Sequence, residues 1–149
     1  MSETRPPLPV LADYTFITRD KLRYGDTDRQ GHVNNAVYAT FFETGRVDML
    51  MNGANLAAVD LKGEDGAFVI ARLIVDYISE INWPGEVEIG TRVLSLGRSS
   101  LRLEHAVFFK DECAARGESV VVLTDTTTRR SKPFSDAARA WLEARIGSP

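Results

Sequence analysis

Apolar residues recur at helical spacing over one stretch of the chain and at strand spacing over several others. Val37, Tyr38, Phe41, Phe42, Gly45, Met49 and Leu50 fall on one stripe, while Thr40, Glu43, Arg46 and Asp48 lie largely outside it. The stripe predicts an amphipathic helix of about five turns. Asn34-Asn35 supplies its start, because an Asn side chain accepts from the free N–H groups of a first turn. Asn52-Gly53 is its expected end. Gly45 on the buried stripe costs about 1 kcal/mol of helix propensity, which close approach of the helix to a sheet would offset.

Residues 14–24 alternate imperfectly and predict a strand ahead of the helix. Behind it, 68–81, 87–96, 101–109 and 118–130 predict four long antiparallel strands, the last with four threonines. Breaks fall at 63–66, 84–85 and 97–100, and 111–117 reads as a turn region holding Cys113. Leu101, Leu103, His105, Val107 and Phe109 share one strand face, so His105 is expected to be structural. Ser135 is the expected cap of a short helix carrying Ala138, Trp141 and Leu142. One long amphipathic helix can bury its stripe against such strands only if the sheet curls around it, an α+β arrangement. Residues 1–11, with Pro6, Pro7 and Pro9, read as a flexible arm, and 12–149 as a single domain.

Composition narrows the class. At 149 residues, 44% apolar and 26% charged, the chain suits one soluble domain with one core. A net charge of −3 gives no bulk attraction to nucleic acid, although a local group of Arg or Lys can still hold a phosphorylated ligand. The single cysteine, Cys113, excludes an intrachain disulfide and a zinc site of several thiolates. Met1–Pro7 carries a charge of each sign and no apolar core, unlike a signal peptide, and no apolar run approaches about eighteen residues. A cytoplasmic protein with no membrane partner is the expectation.

Ionisable and special-backbone residues concentrate between Tyr24 and Asp48. An acyl carbonyl over the helix start would meet backbone N–H groups near Asn35 and the positive end of the helix dipole, which stabilise a developing oxyanion. Asp28, on the approaching loop, could attack that carbonyl or take a proton from water. Gly31 would let the backbone come close to a ligand. His32 could polarise a carbonyl or orient Asp28 or water, and Asp26 is expected to hold the loop shape. Tyr38 reads as core first and pocket lining second. Glu43 and Arg46, three apart, read as an intrahelical pair.

The same segment resembles the signature of the 4-hydroxybenzoyl-CoA thioesterase family of hotdog-fold proteins: an aromatic residue, Asp-x-Asp, Gly, then a helix with Tyr and paired aromatics ahead of Glu and Arg. Here these are Tyr24, Asp26, Asp28, Gly31, Tyr38, Phe41, Phe42, Glu43 and Arg46. The resemblance implies a curved antiparallel sheet wrapped around one central helix, and hydrolysis of an acyl-CoA thioester to a carboxylate and free CoA. It makes Asp28 the catalytic carboxylate, with the helix N–H near Asn35 on the thioester oxygen. Gly31, Tyr38, Arg98 and Ser99 become substrate-binding candidates, the last two from the turn Gly97-Arg98-Ser99-Ser100. It implies a homodimer or homotetramer and no metal or redox cofactor, coenzyme A entering only with the substrate.

Asp28 to Asn35 is also similar to the Asp-x-Asn-x-His-Val-Asn-Asn pattern of acyl-ACP thioesterases, with Gln30 in place of the Asn. Those enzymes carry a later Glu-Cys; Glu80 aligns with the Glu, and the Cys is missing. Hotdog hydratases place a His five residues after the Asp of Asp-x-Asn-Pro. His32 lies four after Asp28 with no Asn-Pro, which argues against a lyase. An acyl-ACP thioesterase and a non-catalytic acyl-thioester-binding protein stay open as alternatives.

Overall fold

A computed structural model describes residues 7–146. Residues 1–6 of the expected arm and 147–149 of the expected domain lie outside the described residues. The chain enters through a 3₁₀ turn, Leu11–Asp13, and β1, Phe16–Lys21, whose side chains alternate between half-buried and exposed.

The helical run starts where the Asn pair predicts. Asn34 Oδ1 accepts the Ala36 N–H at 3.1 Å, and α1 runs over Asn35–Val47. It continues through a π-helical stretch, Asp48–Gly53, into a last turn, α2, Ala54–Leu56. Gly53 therefore does not end it. Gly53 keeps helical angles inside the run, and a Cβ there would fall 2.2 Å from Cζ of Phe16, so glycine serves the contact with β1. The left-handed residue after the run is Ala58, with φ 57°.

The stripe is buried from Tyr38 to Leu50 as its spacing predicts, with Val37 half-buried and one addition: Arg46 is buried too. Gly45 fulfils its expected role, since a Cβ would sit 2.6 Å from Thr91 Oγ1 and 2.7 Å from Ile89 Cγ2. Gly45→Ala should therefore lower stability by about 1–3 kcal/mol despite its better helix propensity, because the sheet cannot recede. Thermal denaturation checks this, and a more stable variant contradicts the close approach.

Behind the helix come β2 (Gly66–Tyr77), β3 (Glu86–Leu96), β4 (Ser100–Phe109) and β5 (Glu112–Asp125). They form one antiparallel five-stranded sheet in the order β1-β3-β4-β5-β2. Only β3, β4 and β5 make a meander. β2 crosses to pair with β5 and leaves its other side as a sheet edge. The concave face wraps α1 in two apolar groups. Phe41, Phe42, Leu22, Ile81, Ile89 and Val107 pack near the helix start, and Met49, Leu101, Leu103, Leu123 and Leu142 near its end. Each such side chain contributes about 1.5–3 kcal/mol on burial. α3, Asp136–Glu143, is capped by Ser135 and closes the second group with Ala138, Trp141 and Leu142.

Two stretches of the last strand differ from expectation. β5 begins at Glu112, because Lys110 and Asp111 both take positive φ (50° and 65°) in a tight hairpin turn. Cys113 is consequently a buried strand residue and not part of a turn. β5 ends at Asp125, whose Oδ1 accepts the N–H groups of Thr127 (2.8 Å) and Thr128 (2.9 Å), so those threonines form a turn. Among the described residues, no helix is long and apolar enough to cross a membrane.

Candidate active site

Two aspartates with different surroundings build the turn after β1. Asp26 is buried and accepts the Arg23 N–H (2.8 Å) and the Arg23 guanidinium (3.0 Å), while its carbonyl accepts the Asn34 N–H (2.8 Å). It thereby fixes the turn to the helix start. Asp28 is exposed. Its Oδ1 accepts the N–H groups of Gln30 (2.8 Å) and His32 (3.3 Å), and its own N–H donates to the His32 carbonyl at 2.8 Å. Gly31 lies between them at φ 81°, a left-handed conformation that favours glycine. Nothing stands within 4 Å of where a Cβ would be, so conformation and not crowding sets that preference.

Bridges from Thr27 to Val33 and from His32 to Asn82, with the Val33 N–H on the Ile81 carbonyl at 2.8 Å, bind this turn to the segment after β2. That segment brings Glu80, whose Oε2 lies 3.1 Å from Nε2 of His32. The Tyr77 hydroxyl donates to the Asn35 carbonyl at 3.0 Å, and its ring meets that of Tyr38 edge-on at 5.1 Å. Burial, then Tyr77, pushes the Tyr38 hydroxyl above the usual phenol range, so it stays protonated. At the helix start Asn34 takes the N–H groups of Ala36 and Val37, and the Asn35 N–H has no acceptor among the described residues.

Asp28, His32, Asn35 and Tyr38 thus line one cleft of about 310 Å³, together with Tyr77 and Glu80. Gly31 shapes the turn at its edge. Arg98 and Ser99 are not brought to it. They sit in the β3–β4 turn, where the Arg98 carbonyl accepts the Phe134 N–H (3.2 Å) and the Ser99 carbonyl accepts the Leu123 N–H (2.8 Å). The cleft meets the segment before β3 through the bridge from His32 to Asn82, so the 11 residues of β3, roughly 36 Å of strand, run between it and that turn. In sequence, Tyr77 and Glu80 are aligned positions of one strand segment and not site candidates. Their signal was the polar end of the strand behind the helix, which had to return to its N-terminus.

His105 lies outside the cleft, as expected of a core residue. It is fully buried, stacked on Phe42 at 5.1 Å, with Nε2 2.7 Å from Ser119 Oγ. Burial, and then Arg46, push its pKa down from 6.5 to about 3. The folded imidazole stays neutral while the unfolded one protonates below 6.5, so stability is full above that pH and falls between it and about 3. By about pH 5 the loss attributable to His105 is about 2 kcal/mol. Denaturation midpoints of wild type and His105→Gln between neutral and acid pH measure it. Equal acid slopes would contradict the assignment.

The fold and cleft have relatives. The Thioesterase-like superfamily matches residues 22–142. The acyl-CoA thioester hydrolase YbgC of Escherichia coli is 29% identical over 106 residues, covering 70% of this chain and 78% of the relative. A Thermus thermophilus thioesterase solved with coenzyme A and Zn is 35% identical, covering 85% of this chain and 96% of its own, with a TM-score of 0.72. The PA5185 protein of Pseudomonas aeruginosa superposes at a TM-score of 0.82 with 28% identity, covering 95% and 99%. With a family match spanning most of its length and a curved sheet around one helix, the chain belongs to the thioesterase-like superfamily and has the hotdog fold.

Proposed function

We propose that this thioester hydrolase acts on acyl-CoA, with Asp28 as general base. The observation carrying this reading is the placement of an exposed carboxylate, a His–Glu pair and an Asn35 N–H without an acceptor among the described residues around one cleft at a helix N-terminus. The thioester oxygen would sit on the Asn35 N–H, where the helix dipole adds to the hydrogen bond. Asp28 Oδ1 is held by two N–H groups, which leaves Oδ2 to take a proton from water as the water oxygen attacks the carbonyl carbon. His32, turned by Glu80, would orient that water. Collapse of the tetrahedral intermediate breaks the C–S bond, and the departing thiolate takes up the proton. The exposed position of Asp28, open to water, favours this role over direct attack.

The YbgC relative by its name, and the T. thermophilus neighbour by its bound coenzyme A, support a CoA thioester as the substrate. The quaternary reading comes from β2. It is an edge strand of 12 residues carrying exposed Val69, Ile70, Leu73 and Tyr77. A long apolar edge is stable in water when it is covered, and a second copy pairing antiparallel about a two-fold axis covers it. Such pairing would set the start of one β2 beside the end of the other. The β3–β4 turn lies at the start end, since Ser100 pairs with Val122 and Val122 with Val69. Arg98 and Ser99 would then reach the neighbouring cleft and serve the phosphate end of coenzyme A.

Free-thiol release from short, long, branched and aromatic acyl-CoAs, alongside acyl carrier protein thioesters, tests the activity. Turnover of acyl-CoA is the expected result. Hydrolysis confined to carrier-protein thioesters would overturn the substrate, and binding without hydrolysis would overturn the enzyme.

A further inference from the structure

A second cavity lies between the C-terminal half of α1 and the start of β2. It measures about 470 Å³, with Leu50, Phe68 and Val121 among its apolar walls and Glu43, Arg46 and Lys62 as its ionisable side chains. Arg46 is 8% exposed, and its Nη1 is buried without a hydrogen-bond partner among the described residues. Its Nη2 lies 3.9 Å from Glu43, whose own side chain is 66% exposed. A guanidinium taken out of water is costly unless an anion meets it, and a mobile surface carboxylate at that range compensates it poorly. Burial depresses the Arg46 pKa, and its charge in turn helps to keep His105 neutral. Glu43 therefore compensates the guanidinium only in part.

The cavity lies in line with the cleft. From Asn35 to Arg46 the helix advances eleven residues, about 16 Å along its axis and only about 20° around it. An acyl chain leaving a thioester at the helix start would have to span that distance to end at Arg46.

We propose that this chamber takes the far end of the acyl chain, and that Arg46, assisted by Lys62, selects acyl groups ending in a carboxylate over plain alkyl ones. The inference rests on the acyl-CoA reading for the thioester end alone. Methylenes lie along the apolar wall, and the terminal carboxylate takes the bidentate geometry that a guanidinium fork offers. Glu43, already exposed, turns to solvent. A methyl terminus in the same place leaves Arg46 Nη1 buried without a hydrogen-bond partner, which is how a polar site rejects an analogue lacking its partner group.

The test compares mono-CoA thioesters of suberic, sebacic and dodecanedioic acid with octanoyl-, decanoyl- and dodecanoyl-CoA. Hydrolysis is followed with wild type, and equilibrium binding by calorimetry with Asp28→Asn, so that affinity is read without turnover. At the best chain length the carboxylated thioester should be favoured at least about tenfold in kcat/KM and in Kd. Arg46→Met, added to each background, should bring both ratios near unity, Arg46→Lys should restore part of them, and Lys62→Gln should reduce them less. Should Arg46→Met fail to fold, the wild-type ratio and Lys62→Gln still decide. Equal kcat/KM and Kd for the two series in wild type and Asp28→Asn overturn the proposal while leaving hydrolysis intact. Tighter binding of the carboxylated series with no hydrolysis by wild type supports it and overturns the enzyme reading instead.

Discussion

Asp28→Asn should lower kcat on acyl-CoA by about 10²–10⁴ while leaving the fold and the substrate affinity nearly unchanged. The amide oxygen of Asn can still accept from the Gln30 and His32 N–H groups, so the turn keeps its geometry. Asp28 is exposed, so no buried charge is lost. What disappears is the basic oxygen that takes the proton from water. Asp26→Asn supplies the contrast. That carboxylate is buried and holds Arg23 through both its backbone and its side chain, so its loss should reduce stability, by about 1–3 kcal/mol, more than it affects the chemical step. Thiol-release kinetics and thermal denaturation on the two variants separate the roles. A folded Asp28→Asn enzyme with wild-type kcat would remove Asp28 from the reaction. Loss of activity in both variants with only Asp26→Asn unfolding would leave it in place. Label in the Asp28 side chain after single-turnover hydrolysis in ¹⁸O-labelled water would identify it as the nucleophile, since only attack by Asp28 itself can place label there.

The two aspartates also show what the sequence could and could not convey. The central helix was legible because its stripe repeats at helical spacing with aromatic residues too large to be placed elsewhere. The start of β5 was not. Ala114 and Ala115 join the apolar group of Phe42, and a Cβ on Gly117 would lie 2.1 Å from the Ile74 carbonyl oxygen and 2.7 Å from the Phe42 ring. Small residues carry a weak strand signal even where the fold demands them. Arg46, expected outside the stripe, stands four residues after Phe42 and three before Met49, which is stripe spacing. Within the candidate site, Asp28, His32, Asn35 and Tyr38 could be read together because they are local in the chain. Glu80 and Tyr77 reach it only through the crossover of β2, a property of topology that no local pattern carries. Arg98 and Ser99 lie still further out: on the proposed reading, they meet a cleft only across a second protomer.

That dependence leads to the second large effect. A dimer joined through the β2 edges should fall apart, and lose most of its activity, when Leu73 is replaced by Lys. Leu73 is 37% exposed in the middle of the edge strand and lines neither cavity, so a buried cation there opposes pairing without altering the cleft directly. Sedimentation velocity reads the assembly, and thiol release reads the activity. A fully active dimer of Leu73→Lys would exclude this edge as the interface. Mixed protomers then test whether sites are shared. Arg98→Ala alone should cost about tenfold in kcat/KM if its guanidinium meets a CoA phosphate. In a hybrid of an Asp28→Asn protomer with an Arg98→Ala protomer, antiparallel pairing places both lesions in one site. The other site then combines an intact Asp28 from one chain with an intact Arg98 from its partner, and should run at the wild-type kcat/KM. If Arg98 instead served its own protomer, one site would lack the base and the other the cation, and mixing would recover nothing. Recovery therefore requires the β3–β4 turn to cross the interface, which follows from the antiparallel edge and the register of β2, β5 and β4 together.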